Sequence, residues 1–98
     1  MKFYIKHSMT GRLRVHMDMK HMSFKQADIL EYYIKNIETV TSVKVYEKTC
    51  DAVIEFKGDK AQIINELKHF TYSQVVVPED VLNSSGREMN SYYQDKLV

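Results

Sequence analysis

Tryptophan is absent from this 98-residue sequence, and cysteine and proline occur once each. A single cysteine, Cys50, excludes a disulfide within the chain and fits a reducing compartment. It also excludes a Cys-x-x-Cys pair, the usual way for two thiolates to hold a soft cation. The three glycines stand apart at 11, 58 and 86, so there is no glycine-rich phosphate loop. No apolar run approaches the roughly 20 residues that span a bilayer. Met1 to Lys6 has no apolar stretch of the secretory kind. A cytoplasmic chain is expected, alone or as the cytoplasmic part of a membrane protein. Charge of one sign is lacking too: 14 Lys and Arg against 13 Asp and Glu leave +1, which predicts no strong pull on nucleic acid.

What is present is an ordinary globular composition, 44% apolar and 28% charged, in a length that supports one domain. Residues 2 to 7 alternate, with Phe3 and Ile5 against Lys2, Tyr4 and Lys6. Gly11 interrupts the pattern, which resumes with Leu13, Val15 and Met17 against Arg12, Arg14 and His16. These read together as one bent first strand. Ser23 with Gln26 has capping-box spacing, and Ala27, Leu30, Ile34 and Ile37 make an apolar helical face that should run to about Glu38. Strands are expected at 42–47 and 52–56, joined by the polar Lys48 to Asp51. Asp59, with Gln62 at the box position, opens a second helix whose buried face would be Ala61, Ile64 and Leu67. A β-prone run from Ser73 to Val77 ends at Pro78.

The expected fold class is α+β: a ferredoxin-like βαββαβ sandwich, with a four-stranded antiparallel sheet and two helices on one face. It would occupy residues 1–78, with 79–98 a polar tail or linker.

The densest donor chemistry is His16-Met17-Asp18-Met19-Lys20-His21-Met22. Thioether and imidazole groups suit Cu(I), and imidazole suits Zn(II), Ni(II) or Fe(II). Met17 continues the inward alternation and so belongs to the core, while Met22 can staple the helix start. His16, Met19 and His21 are then the candidate metal ligands, with Asp18 as a possible oxygen donor. The competing reading gives them packing and solvated roles, methionine being a general gap-filler. Cys50 reads as a small residue in a hairpin, His69 as an outer partner at the same end of the domain, and His7 has no assigned role. No carboxylate pair or activated nucleophile stands out, so an enzyme is not expected.

The stretch His7-Ser-Met-Thr-Gly11-Arg12-Leu-Arg14-Val resembles the opening H-x-x-x-G-R-x-R of divergent heavy-metal-associated domains, found at the N-termini of metal-translocating P-type ATPases and in small bacterial proteins. The Val43–Phe56 segment and the run through His69-Phe70 to Val77 are similar to the family's later strands and last helix, so the resemblance covers about residues 3 to 77. Typical members carry Gly-Met-x-Cys-x-x-Cys after the first strand; here the Met/His loop stands in that place. The resemblance implies a role in metal homeostasis, as the regulatory or metal-binding module of a transporter. It leaves open whether the domain itself holds a transition metal (copper, zinc, nickel or iron), and implies a transporter membrane domain or another protein as partner. It does not carry over thiolate-based transfer.

Two rival readings use the same topology. A protein-interaction module would dock or form a homodimer through the open sheet face or an edge strand. An RNA-binding domain would use Arg12, Arg14, Lys44 and Tyr46 there, but Val53 and Glu55 stand where stacking aromatics are needed. Nucleic acid is therefore not the expected partner.

Overall fold

The chain reverses at Thr10-Gly11, and that reversal decides how the sheet is built. Gly11 has φ +77°, a region that side chains with a Cβ avoid, so a tight turn closes where a bent strand was expected. A Cβ there would stand 3.4 Å from the Phe56 carbonyl oxygen. The computed structural model describes residues 1–78. In it, β1 (Phe3–Met9) and β2 (Arg12–Met17) form an antiparallel hairpin rather than one strand. Then follow α1 (Phe24–Lys35), β3 (Val40–Tyr46), β4 (Asp51–Phe56) and α2 (Lys60–His69).

The sheet is four-stranded and antiparallel in the order β1-β2-β4-β3, an α+β arrangement consistent with a ferredoxin-like fold. Its edge beside β2 is filled from the N-terminal side. The run expected as a last strand, Ser73–Val77, is not one: Tyr72–Gln74 make one 3-10 turn, and Val75 packs against the core. With β1 occupying that edge, no ladder is open beside β2 for this segment to join. The expected tail, 79–98, lies outside the described residues.

The core lies between the sheet and both helices. Leu13, Val15 and Met17 of β2, Ala52, Ile54 and Phe56 of β4, and Val45 of β3 meet Ala27, Leu30 and Ile34 of α1 and Ile63 and Leu67 of α2. Each fully buried Leu or Ile contributes roughly 1.5–3 kcal/mol relative to exposure. Met17 is in this core, as its alternation implied, and Met22, read as a staple at the helix start, is buried in it too. Ser23 accepts from the Gln26 amide while the Gln26 side chain accepts from the Ser23 amide, the reciprocal cap that starts α1. Ile37 is buried just beyond α1, whose last helical residue is Lys35.

The second helix departs from expectation in its face and its cap. Its inward residues are Ile63 and Leu67, with Ala61 exposed and Ile64 half-buried. Asp59 accepts from the Ala61 amide, so the Asp59 cap forms, but Gln62 does not close a box with it. Tyr33 of α1 ties the two helices, donating its hydroxyl to the Glu66 carboxylate at 2.9 Å and carbonyl at 3.0 Å. Its ring lies 4.9 Å from Phe70, which in turn meets Tyr72 edge-on at 4.7 Å.

Candidate functional site

Strand alternation sends Leu13, Val15 and Met17 inward, so Arg12, Arg14 and His16 emerge on the sheet face turned away from both helices. The register then builds rows across that face. Tyr4, His16, Asp51 and Tyr46 form one row. The next row is His7, Arg14, Val53 and Lys44, and the third is Met9, Arg12, Glu55 and Ser42. A register shift between Ile5 and His7 places an extra residue, Lys6, in β1. Such a bulge re-aims side chains. Lys6 and His7 are consecutive, yet Lys6 reaches Asp51 and His7 sits opposite Arg14 on the same face.

Asp51 is the centre of this face. Its side chain is 0% exposed although it stands on the outer side of the sheet, because its partners cover it. Lys6 Nζ donates to Oδ2 at 3.0 Å; Arg14 Nη2 and Nε donate to the same oxygen at 2.9 and 3.2 Å. His16 Nδ1 lies 2.7 Å from Oδ1. Burial by itself would raise this carboxyl, but the hydrogen bonds from His16, Lys6 and Arg14 and the Lys6 charge outweigh it and bring it to about 2. A carboxylate accepts only, so His16 donates from Nδ1. The His16 ring is packed 4.9 Å from Tyr4. Tyr4 and Tyr46 remain 56% and 40% exposed at the two edges, with Lys44 Nζ 5.4 Å above the Tyr46 ring.

The residues singled out as metal donors are dispersed. His16 is bonded to Asp51 on the open face. Met19 packs against the core, with its Sδ accepting the Tyr72 hydroxyl at 3.4 Å. His21 is exposed beside the start of α1, and Asp18 is exposed as well. As placed, His16 stands on the open face and Met19 packs against the core, each with its own partner. Among the described residues no group of three or more His, Cys, Asp or Glu is placed to hold a metal ion.

The other candidates resolve individually. Cys50 is buried, with a backbone φ of +60°, and its carbonyl accepts from the Met17 amide at 2.8 Å. Burial, and next the neighbouring Asp51 charge, push its thiol up, away from thiolate chemistry. His69 is exposed at the end of α2, its Nδ1 2.8 Å from the Asn65 carbonyl. Asp51, Lys6 and Tyr4 were not among the sequence candidates. The available signal was parity: an acid two residues before Val53 and four before Glu55 must share their face.

No protein-family model, curated protein or solved structure matches this chain. Among the described residues no helix is long and apolar enough to cross a membrane.

Proposed function

We propose that this domain is a non-catalytic recognition module in metal homeostasis, of the regulatory or docking kind that heavy-metal-transporting P-type ATPases carry, and that it works through its open sheet face. The observation carrying this reading is Asp51, fully buried on an outer sheet face beneath Lys6, Arg14 and His16. Buried charge of this sort fixes side-chain positions more than it adds stability. Here it holds a patterned polar surface in register between two exposed tyrosines.

The metal-homeostasis context comes from the H-x-x-x-G-R-x-R resemblance, and those residues have physical tasks in this fold. Gly11 makes the hairpin turn, Arg14 binds Asp51, and His7 and Arg12 stand on the open face. Metal carriage by His16, Met19 and His21 is the second reading: the bond to Asp51 uses only Nδ1 of His16, the usual way a carboxylate orients a metal-bound imidazole, but Met19 packs against the core while His16 stands on the open face.

The test is growth of cells whose own copy carries Arg12→Gln and Lys44→Gln, over graded copper, zinc, nickel and iron salts. A shifted tolerance to at least one metal supports the reading. Growth curves that coincide with wild type for all four metals overturn it.

A further inference from the structure

We propose that the ligand of the open face is an acidic, extended polypeptide segment lying across the strands; this rests on the reading of that face as the recognition surface. The argument is charge complementarity. Lys6, Arg12, Arg14 and Lys44 bring four permanent cations to the face, with His7 and His16 beside them, against two carboxylates, Asp51 and Glu55. Residues 1–78 hold 12 Lys and Arg against 9 Asp and Glu, so this face, with four against two, carries two of their three net positive charges.

The cations differ in availability. Lys6 and Arg14 both bind one oxygen of Asp51, two permanent charges on a single carboxylate. Arg12 is exposed and makes no ion pair with Glu55, its neighbour in the register, while Lys44 is exposed above an aromatic ring. A guanidinium in this setting suits a carboxylate, which it can hold by two parallel hydrogen bonds.

A continuous phosphate chain fits less well. Tight polyanion binding rests on many phosphate contacts, and the exposed Glu55 sits in the central strand β4, in its path. A peptide with separated carboxylates can meet Arg12 and Lys44 and pass over Val53. Four strands about 4.8 Å apart make a face about 14 Å wide, which four or five extended residues cross. Side chains on one side of such a segment recur about every 7 Å, so alternate acids all face the sheet.

The probe is a blocked synthetic peptide of alternating Glu and Leu, about ten residues long to exceed that width, followed by amide NMR on the isotope-labelled chain. Saturable shifts at Tyr4, Arg12, Lys44 and Tyr46, fading as salt is raised, are expected. Arg12→Gln with Lys44→Gln should weaken binding roughly fivefold to tenfold, while Lys25→Gln on exposed α1 surface leaves it unchanged. The amide spectrum itself reports whether the double variant is folded. Absence of saturable shifts on this face, or equal binding by the folded double variant, overturns the proposal. So does tighter binding of an oligouridylate of about eight nucleotides, a length within the usual single-strand site size. Any of these results together with altered metal tolerance in the growth test would remove the acidic ligand while keeping the recognition face.

Discussion

Arg14 and Asp51 meet across two central strands with Nη2 and Nε both directed at one carboxylate oxygen, at 2.9 and 3.2 Å. The residues are not direct register partners: Arg14 stands opposite Val53, and Asp51 opposite His16. The ion pair is therefore diagonal, and it locks the relative position of β2 and β4 on the outer face while the core locks it from within.

Removing the carboxylate should leave Lys6 and Arg14 crowded without a counter-charge. Asp51→Asn is expected to cost roughly 2–3 kcal/mol, below the full cost of breaking a buried pair because Lys6 and Arg14 are partly exposed. Urea denaturation at neutral pH measures this. An unchanged midpoint would show that the cluster holds nothing in place.

The same carboxyl predicts an acid limb. Its folded value of about 2 lies below the ordinary 3.8, so its stabilisation is fully present above about 4 and disappears as pH falls through 2. The loss of stability between pH 4 and 2 should be shallower in Asp51→Asn than in wild type. Parallel curves would contradict the assignment.

An alkaline limb should come from Tyr33 and Tyr72. Burial raises both phenols to about 12, aided by Glu66 for Tyr33 and by Cys50 for Tyr72. A raised value means the neutral form is favoured in the fold, so stability present below pH 10 is lost as pH rises towards 12. Ultraviolet titration of the phenols should show two late-ionising tyrosines. Tyr33→Phe should delay no residue other than Tyr72 and cost about 1 kcal/mol for its hydrogen bonds.

Thr39 offers a prediction of opposite sign. Its Oγ1 is buried without a hydrogen-bond partner among the described residues. Thr39→Val removes that polar atom at nearly constant shape and should stabilise the fold by about 1 kcal/mol. Thermal unfolding checks it, and a lowered midpoint would mean that the hydroxyl is satisfied.

How much of this was legible in the residues follows from the range of each signal. The helix from Ser23 and the inward sets Leu13-Val15-Met17 and Ala52-Ile54-Phe56 are local periodicities, and they read correctly. The hairpin at Gly11 did not, because one glycine can mark either a bend or a reversal, and pairing of Phe3 with Met17 is decided at a distance. Ser73–Val77 has the composition of a strand but finds its edge already taken, a competition that no local pattern encodes. The same limit hid the candidate site. Lys6 is 45 residues from Asp51, and only a bulge and two strand pairings bring them together. The donors of the Met/His loop are close in sequence, but β2 ends at Met17, so His16 stays on the open face while Met19, beyond the strand, packs against the core.

The most direct measurement is a titration of the domain with Cu(I), Zn(II), Ni(II) and Fe(II), followed by amide NMR, in wild type and in a His16→Ala, Met19→Ala, His21→Ala variant. If the open face is the working surface, no metal binds tighter than about 10 µM through these three residues. Sub-micromolar binding in wild type that the triple variant loses would contradict the account and return function to the 16–22 loop.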